Sequence, residues 1–352
     1  MVFKALSLRD QAHEQVVFCS NSETGLKGVI AIHSTALGPA LGGCRMRPYQ
    51  TEEQALEDVL RLSEAMSYKA ALAGLQLGGG KSVIIADPEK DKKPELLWSF
   101  GLHIESLKGR YIVAKDMGIN TEDLQYIGDQ TSYVVGRPVK RGGVGDPSRS
   151  TAKGVYYGIK TAVQWKLKRD SLKGLRVILQ GLGAVGSNLL ELLNQEEMEI
   201  FVHDIKSSVL EKAKTQFPKI KIISKEEVFT TECDVFSPCS VGAVINEESV
   251  KTLKCSIVAG GANNQLSHPS IGKKLLDKRI LYIPDFIINS GGLIYVSSYL
   301  SPKKSNEWIE NKLKGISQTI RKLCDLSQAE NVDTAEMALM LAKDKIKRSY
   351  IS

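Results

Sequence analysis

The sequence predicts an α/β protein of two domains. Three observations predict it: a length of 352 residues, short apolar runs alternating with helix-like spacers in the second half, and a glycine-rich turn joining one such run to a helix. A chain of this length exceeds one ordinary core, and domains of roughly 100–200 residues are the natural division. Residues 1–135 read as a mixed α/β domain and residues 136–330 as a parallel-sheet domain, with a last helix over 331–352.

In the first domain, Val29-Ile30-Ala31-Ile32-His33 is preceded by Gly28 and reads as a strand. Thr51-Glu52-Glu53-Gln54 has the form of a capping box, and Ala55, Val59, Leu60 and Leu62 follow on an apolar helix face. Leu75 to Leu77 leads into a triple glycine, after which Ser82-Val83-Ile84-Ile85-Ala86 is expected to form a strand ending at Asp87-Pro88. Tyr111-Ile112-Val113-Ala114 reads as a buried strand. The Gly-rich segment 140–150 is either a surface loop or the crossing between domains, and the regular alternation beyond it favours the crossing.

That alternation starts at Leu175-Arg176-Val177-Ile178-Leu179-Gln180 and continues in the apolar runs 200–203, 234–236, 256–259 and 280–283. Strands separated by helical spacers make a parallel sheet with crossover helices. From Asn306 the pattern is helical, through Ile309, Leu313, Ile316, Ile320 and Leu323.

Gly181-Leu182-Gly183-Ala184-Val185-Gly186 fits G-x-G-x-x-G, directly after a strand (Gln180 its last residue) and opening a helix. In that setting the pattern predicts a Rossmann dinucleotide site. The first glycine permits a tight turn, the second a close approach to pyrophosphate, and the third close helix–strand packing. The helix N-terminus adds free N–H groups for the phosphates. The next strand ends at Asp204, eighteen residues after Gly186, where an acid binds the adenosine ribose and repels a 2′-phosphate. NAD is therefore expected over NADP, although Lys206 is a nearby cation.

Composition excludes other classes. Hydrophobic residues at 42% and charged residues at 25% are ordinary for a globular protein. The net charge of +7 comes from interleaved signs, as in Lys90-Asp91-Lys92-Lys93-Pro94-Glu95, with no basic run or aromatic-basic motif. Nucleic acid is not expected as a partner; the excess serves better to draw anionic substrates or cofactor phosphates. Six scattered cysteines without a C-x-x-C pair and five histidines without ligand spacing predict reduced thiols and no metal. The N-terminus lacks the apolar core of a secretory signal, and no apolar stretch approaches the ~20 residues of a membrane span. A soluble, cytoplasmic protein is expected.

Three charged residues of the first domain sit in settings unusual for solvated charges: Lys69 among Ala70, Ala71, Leu72 and Ala73, Lys81 after the triple glycine, and Asp116 after an apolar strand. Gly80-Lys81-Ser82 resembles the end of a triphosphate-binding loop, but the earlier glycine of that pattern would fall on Leu75. Beside a dinucleotide, two lysines and a carboxylate suit oxidation of an amino acid at Cα. One lysine pairs with the α-carboxylate. The second, made neutral by desolvation and a neighbouring cation, acts as base on water, and the carboxylate relays protons.

At these residues the sequence resembles the Glu/Leu/Phe/Val dehydrogenase family, most closely its leucine/valine branch. The similar motifs span almost the whole chain: 37–46, Gly78-Gly79-Gly80-Lys81-Ser82-Val83-Ile84, Gly145-Asp146-Pro147-Ser148, Ala262-Asn263-Asn264-Gln265-Leu266, and Pro284-Asp285-Phe286-Ile287-Ile288-Asn289. The resemblance implies an N-terminal substrate-binding and oligomerisation domain, to which the last helix returns, and a C-terminal NAD domain. It implies Lys81 as the general base, Asp116 as the proton shuttle and Lys69 as the carboxylate ligand. Leu41, Ala114, Leu293 and Val296 would line the side-chain pocket, with Gly42, Met66 and Asn263 also at the substrate. Thr151, Gln180, residues Gly181 to Gly186, Asp204, Ile205, Cys239, Asn263 and Asn289 would contact the cofactor. A homo-oligomer, octamer or dimer, is implied. Lys115 beside Asp116, the loop 141–145 and Arg149 depart from the pattern of leucine-type members.

The implied reaction is NAD-dependent, reversible oxidative deamination of leucine or another branched-chain amino acid to the 2-oxo acid and ammonia. The alternatives are a phenylalanine or tryptophan dehydrogenase and a non-catalytic NAD-sensing relative. A sensor has no use for a base beside a carboxylate clamp, and a hydroxyacid dehydrogenase would need a histidine base that has no counterpart here.

Overall fold

The structure is a computed structural model that describes residues 13–138, 145–300 and 305–350. The chain separates into two compact units: residues up to Asp146, joined by short returns beginning at Tyr299 and Ala342, and the remainder from Pro147.

The first unit runs β1 (Gln15–Asn21), β2 (Leu26–Ser34), β3 (Ala40–Arg47), α1 (Glu52–Leu72), β4 (Gly78–Ile85), α2 (Pro94–Ser106), β5 (Tyr111–Lys115) and α3 (Asp123–Gly128). Its sheet has the order β1-β2-β4-β3-β5. β1–β2 and β2–β4 pair antiparallel, whereas β4–β3 and β3–β5 pair parallel. Thr51 caps α1 by accepting from the Gln54 N–H at 3.2 Å. Val29, Ala31 and Val83 of the sheet pack with Ala55, Leu56, Val59 and Leu60 of α1. Ile84 packs on the other face with Leu96, Leu97, Phe100 and Ile104 of α2.

The triple glycine does not precede a strand; it is the start of β4, the central strand of this sheet. Glycine is usually poor in strands because it leaves nothing to pack. Here a side chain is what the site cannot hold. A Cβ on Gly79 would lie 2.0 Å from the Ser67 backbone nitrogen of α1, and one on Gly80 would lie 2.7 Å from the Tyr111 ring. Helix and aromatic ring press directly on the strand from opposite faces.

The second unit runs α4 (Ser148–Leu167), β6 (Arg176–Gln180), α5 (Ala184–Asn194), β7 (Glu199–His203), α6 (Ser207–Gln216), β8 (Lys221–Ile222), β9 (Val235–Pro238), α7 (Glu247–Thr252), β10 (Ile257–Val258), α8 (Ser270–Asp277), β11 (Leu281–Tyr282), α9 (Asp285–Ile288), α10 (Gly291–Ser298) and α11 (Asn306–Glu330). α12 (Thr334–Ser349) begins in this unit and ends in the first. Every ladder of its sheet is parallel, in the order β8-β7-β6-β9-β10-β11. This is the doubly wound Rossmann order, with its switch point between β6 and β9. The apolar runs of the sequence fall on β6, β7, β9, β10 and β11, while exposed, two-residue β8 has no apolar signature. The segment 140–150 is only partly visible: residues 139–144 lie outside the described residues, and Ser148 to Ser150 already form the first turn of α4. Ile309, Leu313, Ile316, Ile320 and Leu323 are the buried stripe of α11, which ends at a left-handed Asn331. Among the described residues no helix is long and apolar enough to cross a membrane.

Candidate active site

Lys81 lies mid-way along β4, opposite Ala31 of β2. Side chains alternate across a strand. Lys81 therefore shares the α1 face with Gly79 and Val83, and its own exposure is only 7%. A cation so buried requires a partner, and Asp116 Oδ2 sits 2.5 Å from its Nζ. Asp116 follows β5 in a tight turn, closed by an Ile119 N–H bond to the Asp116 carbonyl at 3.0 Å. Gly43 makes room for it, since a Cβ there would come within 2.8 Å of the Asp116 Cβ. Burial pushes the Asp116 carboxyl up, but the charges of Lys81 and Arg45 outweigh burial and hold it below its usual value.

The opposite face of this sheet is neutral. Tyr111 donates to the Gly42 carbonyl at 2.9 Å and pairs with the Ser82 hydroxyl at 2.9 Å. Burial raises Tyr111 well above the ordinary phenol range and pushes the Cys44 thiol up to about 12. Neither contributes a charge near Lys81 at neutral pH.

Of the other residues singled out in the sequence, Leu41 and Gly42 are buried on β3, Met66 and Lys69 are half-buried on α1, and Ala114 is half-buried on β5. Sequence reasoning gave no role to Arg45, Tyr49 or Asp58, which the fold joins to Asp116. Arg45 Nε donates to Asp116 Oδ2 at 3.2 Å and Arg45 Nη1 to Asp58 Oδ2 at 2.8 Å, while the Tyr49 hydroxyl donates to Asp58 at 2.8 Å. The one sequence signal is an arginine in the interior of a strand whose other interior residues are small or apolar.

In the second unit the three glycines have three different surroundings. Gly181 has φ +97° and needs glycine for the turn, and a Cβ on Gly186 would strike the Gly181 carbonyl at 1.9 Å. Gly183 has nothing within 4 Å of the Cβ position, which leaves backbone open to a ligand. Asp204, at the end of β7, accepts the Leu182 N–H at 2.7 Å and the Lys206 N–H at 2.9 Å. Ile205 beside it is 89% exposed.

Cys239 N–H bonds the Gln180 carbonyl at 2.7 Å, so the end of β9 adjoins the glycine turn at the switch point. Burial pushes the Cys239 thiol up to about 11, and its sulfur accepts from the Gly261 N–H at 3.3 Å. Asn289 Nδ2 donates to Asn263 Oδ1 at 2.8 Å. Among the described residues the buried Gln180 Oε1 and Asn289 Oδ1 have no hydrogen-bond partner. Buried acceptors of that kind normally find a donor. With the open Gly183 and the N-terminus of α5, they fit a dinucleotide. Thr151, Leu293 and Val296 are half-buried on α4 and α10, while Ala184 and Val185 begin α5.

The sequence model of the Glu/Leu/Phe/Val dehydrogenase dimerisation domain matches residues 13–133, and that of Glutamate/Leucine/Phenylalanine/Valine dehydrogenase matches 142–220 and 199–351. The chain belongs to the Glu/Leu/Phe/Val dehydrogenase family. It is an amino-acid dehydrogenase of the class that acts on CH–NH2 donors with a dinucleotide. It is 42% identical to a leucine dehydrogenase of Bacillus subtilis (strain 168), over 99% of this chain and 94% of that one. It is also 43% identical to a phenylalanine dehydrogenase of Bacillus thermotolerans, over 95% of this chain and 88% of that one. Among solved structures it resembles L-tryptophan dehydrogenase from Nostoc punctiforme, with a TM-score of 0.88 and 37% identity over 100% of this chain and 99% of that one.

Proposed function

We propose that the chain catalyses the NAD-dependent, reversible oxidative deamination of a branched-chain L-amino acid, most readily leucine, to the 2-oxo acid and ammonia. The observation that carries this reading is the ion pair at 2.5 Å between buried Lys81 and half-buried Asp116 in a chain of this family. The first unit would bind the substrate, and the second the dinucleotide.

Lys69 binds the α-carboxylate and orients Cα. The bound dinucleotide supplies the acceptor for the Cα hydride, leaving an iminium on the substrate. Lys81, in its neutral form, takes a proton from water as the oxygen adds to Cα, and Asp116 stays a carboxylate that relays it. Asp116 then carries a proton to the nitrogen of the resulting carbinolamine. Lys81 takes the carbinolamine hydroxyl proton as the C–N bond breaks, so ammonia leaves and the 2-oxo acid remains. That proton is then given up to solvent, along with the one the substrate ammonium lost before hydride transfer. Each turnover consumes one water and releases ammonium and one proton.

Asp204 supports NAD over NADP: both oxygens already accept backbone N–H bonds, which keeps the carboxylate in place to repel a 2′-phosphate. Asn263 would bridge the substrate and the nicotinamide ribose, with Thr151, Cys239 and Asn289 near the nicotinamide end. Leu41, Ala114, Leu293 and Val296 are apolar, so the second carboxylate of glutamate would be desolvated and unpaired. One methylene is worth only ~1–3 kcal/mol in such a pocket, so leucine, isoleucine and valine should all react. The dimerisation-domain match supports a homo-oligomer, octamer or dimer.

The test is NADH formation with a panel of L-amino acids, using wild type and Lys81→Ala. Leucine should show the highest kcat/KM and Lys81→Ala almost none. Phenylalanine or tryptophan ranking first would replace the substrate reading; full activity of Lys81→Ala would sink the mechanism.

A further inference from the structure

Asp116 Oδ2 receives two cations. Lys81 Nζ is one, and Arg45 Nε, 3.2 Å away, is the other. Arg45 is not a surface arginine folded inward: its side chain is 16% exposed, and its far end is fixed by Asp58 Oδ2 at 2.8 Å. Asp58 is itself held by the Tyr49 hydroxyl at 2.8 Å and by Arg61 Nη2 at 2.9 Å. Arg45 comes from β3 and Asp58 from α1, so the guanidinium ties the strand beside Lys81 to the helix that carries Lys69.

We propose that Arg45, anchored by Asp58 and Tyr49, is a positioning residue that keeps Asp116 a carboxylate within proton-transfer reach of Lys81. This rests on the reading of Lys81 and Asp116 as the catalytic pair. If Arg45 only pinned β3 to α1, one guanidinium nitrogen on Asp58 would suffice. Instead Nε is spent on the same oxygen that Lys81 uses. The other groups around Asp116 cannot substitute for it. Cys44 of β3 and Tyr111 of β5 are neutral, and Lys115 points to solvent. Asp58 and Tyr49 face the far end of Arg45, and Arg61 meets only Asp58.

Removing a positive charge makes every neighbouring acid weaker, whichever group limits the reaction, so the sign of the effect is fixed. An opposite charge at ion-pair distance shifts a carboxyl by roughly 1–3 units, and we take about one. The experiment compares the full chain as wild type, Arg45→Met, Arg45→Lys and Arg45→Gln. Carbodiimide with an amine nucleophile labels only protonated carboxyls. At pH near 5.5, labelling of the Asp116 peptide, read by mass spectrometry, should rise about tenfold in Arg45→Met, equivalent to one unit. It should stay near wild type in Arg45→Lys. In parallel, the acid limb of kcat/KM for amino-acid oxidation should move up by about one pH unit in Arg45→Met and return in Arg45→Lys.

Unchanged labelling together with a loss of kcat at every pH would make Arg45 a purely structural tie and overturn the proposal. Labelling does not depend on turnover. A wild type that oxidises no amino acid would therefore overturn the functional reading alone, with the labelling still deciding the role of Arg45. If Arg45→Met fails to fold, Arg45→Gln removes the charge while keeping a hydrogen-bonding side chain. It should raise labelling about tenfold, and no rise in that variant overturns the proposal.

Discussion

Lys81–Asp116 in the first unit and Gly181–Gly186 in the second both depend on glycine, in opposite ways. In the second unit one of the three glycines leaves backbone open: Gly183 faces nothing within 4 Å, while Gly181 and Gly186 are needed for the turn and its close packing. In the first unit glycine is used to eliminate space. Gly42, Gly43, Gly79 and Gly80 let strands, a helix and a tyrosine close to distances at which any Cβ would overlap backbone or ring. That compression is what buries Lys81 against a half-buried Asp116. A backbone site can be built from six consecutive residues. A site of buried charges needs several elements pressed around it, because an unpaired buried charge costs several kcal/mol.

The sharpest way to break this comparison is to remove the chemistry of one site and watch the other. Lys81→Ala should lower kcat by roughly 10²–10⁴, while the dissociation constant for NADH, read by fluorescence, changes less than about twofold. A large change in NADH affinity would mean the two sites are not separable.

The glycines give the next effect. Gly79→Ala forces a Cβ onto the Ser67 backbone and should cost about 3 kcal/mol or more in denaturant unfolding. Gly183→Ala meets no protein atom, so stability should hold within about 0.5 kcal/mol while NADH binding weakens about tenfold. Equal stability losses in the two variants would erase the distinction.

Asp204→Ser removes a charged acceptor worth about 1.5–3 kcal/mol and should reduce the preference for NAD over NADP by about tenfold or more, measured as the ratio of kcat/KM values. An unchanged ratio would assign cofactor choice elsewhere.

The smallest effect is on acid stability. Folding lowers the Asp116 pKa, so its contribution is complete above the unfolded value near 4 and disappears as pH falls through the lower native value. The Tm difference between wild type and Asp116→Asn should therefore be greatest at neutral pH and shrink below about pH 4. A difference independent of pH would show that Asp116 stabilises by shape rather than charge.

Legibility followed the same division. The glycine turn, its flanking strand and helix, and Asp204 were readable because their geometry is set by neighbours in sequence. Lys81 and Asp116 were noticeable as charges in apolar settings, and Lys69 by the same criterion, but no local pattern states that Lys81 and Asp116 touch. Arg45 was passed over although it lies within a quoted motif. Its partners are Asp58, nearly two turns into α1, and Asp116, beyond β4, α2 and β5, so nothing in its own segment marks it. The triple glycine was misplaced ahead of its strand because glycine normally argues against a central strand, and only Ser67 and Tyr111 pressing on it explain the exception. β8 was missed because two exposed residues at a sheet edge need no apolar pattern.

By itself the sequence determined the class of fold, the dinucleotide turn with its acidic neighbour, and the buried stripe of α11. Each is encoded in periodicity or in a short run whose physics is local. Tertiary structure alone decided that Lys81 is ion-paired, that Asp116 is held below its usual pKa, and that Arg45 stands beside that pair. Charge interactions depend on distance and burial, and those are properties of packing between elements far apart in the chain.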